Sequence, residues 1–144
     1  DRWLIPTGEV RNVSNTALDF TRMTRIGKRI DINEEQLAFG KGYDHNWLLD
    51  KRGEELILAA KVHEPKCGRT MELHTTEPGL HFYSGNSIGD AVSGKAGHAY
   101  RPRCGFCLEP QHFPDSPNQP QFPSTVLNPC DQYRQTSAFK FYVS

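Results

Sequence analysis

No apolar stretch in this sequence is long enough to cross a bilayer. The longest uninterrupted run, Leu56 to Ala60, falls far short of the roughly 20 residues that a spanning helix needs. A surplus of either charge is missing as well. Seventeen Lys and Arg balance seventeen Asp and Glu, so no broad field draws in polyanions, and neither nucleic acid nor a membrane is an expected partner. Cysteine is scarce, with four residues in 144, too few for a disulfide scaffold. Helical periodicity is nearly absent, which argues against bundles and coiled coils. No basic and apolar leader follows Asp1, so no targeting segment is read. A cytoplasmic location is expected, with secretion or a periplasmic location left open.

What remains is ordinary globular composition: 36% hydrophobic, 24% charged, mean hydropathy −0.65. A chain of this length can bury roughly 68–70% of its unfolded surface, so one domain spanning residues 1–144 is expected. Alternating segments rich in β-branched and aromatic residues recur between Gly, Pro and Asn clusters, the pattern of an all-β, antiparallel fold. Strands are predicted at Ala17–Phe20, Asn46–Leu49, Glu54–Val62, Arg69–Thr75, Leu80–Tyr83, Cys104–Glu109 and Ala138–Val143. The Pro65-Lys66-Cys67-Gly68 turn joins two of them into a hairpin. A single short helix is predicted within Ile32–Phe39, capped by Asn33. Six prolines between Pro110 and Pro129 predict an irregular ordered loop.

The cysteines leave three readings. Cys104-x-x-Cys107 is half of a zinc pattern that His112 and Cys130 would have to complete, yet no second pair follows at the usual spacing. A redox motif would open a helix after a strand, which these flanks do not suggest. Buried free thiols are the preferred expectation, and no metal site is assigned.

Three polar clusters lie at the ends of predicted strands. In Gly42-Tyr43-Asp44-His45-Asn46 a carboxylate, an imidazole and an amide suit multidentate bonding to a hydroxylated ligand; the bland alternative is a turn bonding its own backbone. In Thr75 to Asn86, alternation puts His81 and Tyr83 on one face, where a sugar could be met, although a solvent-facing His81 would explain the pattern as simply. In Leu108 to Asp115, Glu109 closes an apolar strand. Partial desolvation there would raise its pKa toward that of a useful base; pairing with an arginine is the alternative.

Taken together, Gly42-Tyr43-Asp44-His45-Asn46, Glu77-Pro78-Gly79-Leu80-His81-Phe82-Tyr83-Ser84-Gly85-Asn86 and Leu108-Glu109-Pro110-Gln111-His112-Phe113-Pro114-Asp115-Ser116-Pro117-Asn118 resemble the C-terminal part of aldose 1-epimerases, the galactose mutarotases. Leu4-Ile5-Pro6-Thr7-Gly8-Glu9, Leu18-Asp19-Phe20 and Phe122-Pro123-Ser124-Thr125-Val126-Leu127 extend the likeness along essentially the whole chain. The resemblance implies part of a large antiparallel β-sandwich, no cofactor, and interconversion of the α and β anomers of free aldohexoses such as glucose and galactose. It implies that Glu109 is the general base and that Asp44 binds ring hydroxyls. His81 stands where a substrate-binding glutamine is usual, and Pro110 where threonine is common. The family's histidine acid, with a second histidine and an arginine, lies upstream of this segment. The chain is therefore expected to be a fragment or to need a complementary partner, and a non-catalytic hexose-binding module is the alternative function.

Overall fold

The computed structural model describes residues 1–89 and 93–144. It contains one short helix, α1 (Glu35–Gly40), and six strands: β1 (Asp44–Leu48), β2 (Ile57–Glu64), β3 (Arg69–Thr75), β4 (Gly79–Tyr83), β5 (Cys107–Gln111) and β6 (Ser137–Val143). They form two three-stranded sheets, ordered β1-β4-β5 and β2-β3-β6. The chain divides into two compact units, residues 1–46 with 81–109 and residues 47–80 with 110–144.

In the first unit the core is aromatic. Tyr43 is fully buried, stacks on Phe82 at 5.3 Å and meets the edge of Phe20 at 5.1 Å. Phe20 reaches this cluster from a turn, not from the predicted strand at Ala17–Phe20. The Asp19 carboxylate accepts from the Thr21 amide and hydroxyl at 3.0 and 2.6 Å, which closes the backbone on itself and leaves no ladder to join. The helix starts one residue later than its expected cap: Glu34, not Asn33, accepts from the Leu37 amide at 3.0 Å.

The second unit holds the hairpin. β2 and β3 pair antiparallel, with a register shift between Leu58 and Ala60, and β6 adds to the other side of β3. Both Glu64 carboxylate oxygens accept from the turn, from the Lys66 and Cys67 amides. Register sorts the side chains by face. Lys61, Glu72, Lys140 and Tyr142 make a polar network on one side, with the Tyr142 hydroxyl donating to Glu72 at 2.6 Å. Met71, Leu73, Phe139, Phe141 and Val143 share the other. Leu73 is fully buried, but Phe141 and Val143 are 71% and 75% exposed.

An apolar sheet face bounded by two edge strands favours association. Replacing both Phe139 and Phe141 with Ser is expected to lower the concentration-dependent mass of this chain in light scattering, while β-sheet circular dichroism is retained.

Two expectations are corrected. All four cysteines are free, but every one is exposed, because Cys104 and Cys130 lie outside strands, Cys67 sits in a turn, and Cys107 points away from the partly buried Leu108. The proline-rich segment is also less irregular than predicted. β5 runs through Pro110 to Gln111, and a 3₁₀ turn, Ser116–Asn118, carries Pro117 at its start. A proline is tolerated in β5 because β5 is an edge strand, with no ladder bond required on its outer side.

Candidate active site

Asp44, His81 and Glu109 fall on three successive strands of one sheet, β1, β4 and β5, and all three belong to the first unit. Two backbone bonds set the pairing of the first two strands: the Ser84 amide donates to the Tyr43 carbonyl and the Leu49 amide to the Pro78 carbonyl, each at 3.0 Å. Equal chain lengths between these bonds put Asp44 opposite Tyr83 and Asn46 opposite His81. Side chains of all four therefore share a face. Across the diagonal, His81 Nε2 lies 2.8 Å from Asp44 Oδ1.

That bond sets the surroundings of both residues. Asp44 spends a carboxylate oxygen on a neighbouring strand rather than only on its own turn, and His81 is not a free solvent-facing residue, its side chain being only 19% exposed. An ionised carboxylate only accepts, so the proton of the pair sits on Nε2.

His45 does not join them. Alternation turns it away from Asp44 and Asn46, and its Nδ1 instead accepts from the Asp44 amide at 3.0 Å. Burial pushes its pKa down, only partly opposed by the Asp44 charge, which keeps the ring neutral and Nδ1 free to accept. His45 thus positions the backbone of Asp44, a role that period-two counting would have suggested.

The turn before Asp44 is fixed just as closely. Asn86 Nδ2 donates to the Gly40 and Tyr43 carbonyls at 2.9 Å, and its Oδ1 accepts from the Ser84 hydroxyl at 2.6 Å.

Glu109 differs from expectation. It is exposed, in the middle of β5 rather than at its end, and its carboxylate bonds none of the described residues. Neither the expected desolvation nor pairing with an arginine is found. On an edge strand Leu108 and Pro110 turn inward, and Glu109 between them turns out. No direct contact joins it to Asp44 or His81. A cavity of about 410 Å³ in the same unit, lined by Ile26, Ile30, Asp31, Arg103 and Phe106 among others, includes none of the three.

A further polar cluster, missed from the sequence, occupies the second unit. Glu77 is 2% exposed; His112 Nδ1 lies 2.7 Å from its Oε2, and the Tyr133 hydroxyl donates to its Oε1. Nothing in the sequence around Glu77 marks it as buried. Among the described residues no three His, Cys, Asp or Glu side chains converge as metal ligands.

The Glu77 carboxylate pushes the Tyr133 phenol up from 10.0 to about 12. A raised phenol pKa means that the folded state holds the proton longer, so this bond stabilises below about pH 10 and is lost as pH rises toward 12. Burial also pushes the Tyr43 phenol up, so ultraviolet titration should show one fewer late-ionising tyrosine in Tyr133→Phe than in the unmodified chain.

These strands define a β-sheet protein whose first unit carries the bonded Asp44–His81 pair on β1 and β4 and an exposed carboxylate, Glu109, on β5. The family profile described as Aldose 1-epimerase matches residues 1–140, and the chain belongs to that family. It is 42% identical to galactose mutarotase from Rattus norvegicus and from Homo sapiens over all of its length and 40% of theirs. It is 32% identical to aldose 1-epimerase from Escherichia coli over 95% of its length and 40% of that protein. Among solved structures, the GalM/aldose epimerase homologue from C. elegans matches 99% of the chain with a TM-score of 0.85 and 26% identity, over 42% of its own length. The chain thus spans about two fifths of the relatives it matches. Among the described residues no helix is long and apolar enough to cross a membrane.

Proposed function

We propose that this chain carries the sugar-binding and general-base portion of an aldose 1-epimerase that interconverts the anomers of free aldohexoses. The Asp44–His81 hydrogen bond at 2.8 Å is the observation that carries the reading, because it makes a pre-oriented acceptor pair from two distant sequence motifs. Glu109 stands two strands from Asp44 in the same sheet, and its carboxylate bonds neither Asp44 nor His81.

Opening a cyclic hemiacetal requires loss of the anomeric hydroxyl proton and protonation of the departing ring oxygen. Rotation about C1–C2 and reclosure then give the other anomer. Glu109 is the base for the first step, and its unpaired carboxylate is consistent with that task. Asp44 and His81 hold ring hydroxyls. No histidine in this chain is assigned as the acid, and the complementary portion of the family chain supplies it. The exposed Phe139–Phe141 face supports such a complement, since an apolar sheet face is ordinarily covered.

Polarimetry on freshly dissolved α-galactose and α-glucose tests the reading, alone and with the complementary portion of a relative added. Acceleration over buffer is expected in the second case. Saturable hexose binding with no acceleration in either would favour a non-catalytic binding module, and no binding at all would end both.

A further inference from the structure

Only three buried side-chain nitrogen or oxygen atoms among the described residues lack a hydrogen-bond partner, and two of them are Asn46 Oδ1 and His81 Nδ1. They belong to residues that stand opposite each other across β1 and β4, on the face that carries Asp44. In the neutral ring with its proton on Nε2, Nδ1 is an acceptor, as is the amide oxygen of Asn46. Two acceptors on facing residues cannot satisfy one another.

Leaving such atoms unpaired is costly in a folded chain, and orphans of this kind call for an explanation. A packing role does not supply one, because an apolar side chain would fill the same space without the penalty. What meets two neighbouring acceptors is a ligand that brings two donors on adjacent atoms. Vicinal hydroxyls of a sugar ring do this, each giving one O–H.

We propose that Asn46, with His81, reads a pair of adjacent hydroxyls on the hexose and is a specificity determinant of the site. The proposal rests on the aldohexose reading above and extends it to a residue outside the Asp44, His81 and Glu109 set. Asp44 holds the His81 ring so that Nδ1 faces the sugar, and Asn46 sits one strand across to take the neighbouring hydroxyl. A hexose that lacks one of these hydroxyls, or carries it in the other configuration, leaves an acceptor unpaired and is discriminated against.

The test is calorimetric binding of galactose and of its monodeoxy derivatives to the unmodified chain, to Asn46→Ala and to Asn46→Asp. Asn46→Ala should weaken galactose about tenfold, the worth of one hydrogen bond to a buried acceptor. Asn46→Asp keeps an acceptor there and should retain most of the affinity, which also guards against misreading a folding defect. One monodeoxy galactose should bind the unmodified chain and Asn46→Ala equally, because the hydroxyl that Asn46 reads is already gone.

Equal galactose affinity for the unmodified chain and Asn46→Ala would overturn the proposal. So would a constant tenfold loss across every deoxy sugar, which would mark a general distortion. If Asp44→Asn weakens binding with thermal unfolding unchanged while Asn46→Ala does not weaken it, the role of Asn46 fails and the sugar site stands. If the unmodified chain binds no hexose, the site itself fails, and this proposal with it.

Discussion

Glu109→Gln is expected to bring mutarotation down to the rate in buffer, a loss of about 10²–10⁴-fold for a removed general base. The amide keeps the volume and the strand but cannot take a proton. Because Glu109 is exposed and bonds no described residue, its replacement strands no buried partner. Stability should therefore change by less than about 0.5 kcal/mol. Polarimetry with the complementary portion added, and thermal unfolding of the same chain preparation, separate the two effects. Activity surviving in the variant would remove Glu109 from the mechanism, whereas activity lost together with the fold would make it a structural residue.

Asp44 should behave differently. Its carboxylate holds a partly buried imidazole, so truncation to Ala leaves His81 Nε2 without its acceptor and disturbs folding and binding together. The contrast comes from the two environments, not from the residue types, which are nearly the same.

This contrast shows where sequence reading carries through and where it stops. Strand positions followed from alternation: β3 was predicted residue for residue, while β1, β4 and β6 shifted by one or two at their ends. The segment at Phe20 failed because an acid two residues from a hydroxyl-bearing Thr21 offered the backbone a local bond that competes with pairing. Asp44 and His81 lay in separate motifs that the family resemblance joined, but the hydrogen bond between them depends on which strands are neighbours. So does the burial of Glu77, whose partners His112 and Tyr133 arrive from 35 and 56 positions away. The cysteines were expected as buried thiols in a strand, but Cys67, Cys104 and Cys130 lie outside strands and Cys107 takes the exposed side of the edge strand β5. Glu109 was placed on the right strand but given the wrong surroundings, since nothing local announces an edge strand except Pro110, which was read instead as the start of a loop.

The second large effect is expected at Gly42. Its backbone sits at φ +136°, and a Cβ added there would lie 2.4 Å from Asn86 Oδ1 and 2.8 Å from Asn86 Cγ. An ordinary side-chain end would swing aside, but the Asn86 amide is held by two backbone carbonyls and the Ser84 hydroxyl. Gly42→Ala must therefore either break that bracket or distort the turn that delivers Tyr43 to the core and Asp44 to the site. A backbone conformation reserved for glycine costs about 1–3 kcal/mol and overpacking about 1–3 more, so a loss of roughly 2–6 kcal/mol is expected in denaturant unfolding. Gly53→Ala is the matched comparison. Its φ of +59° is also positive, but nothing lies within 4 Å of the added Cβ, which leaves only the left-handed backbone penalty of about 1–2 kcal/mol. A Gly42→Ala loss no larger than that of Gly53→Ala would mean that Asn86 yields freely and does not hold the entry to β1. A larger one, accompanied by weaker hexose binding, would tie the placement of Asp44 to a bracket built from the motif that also supplies His81.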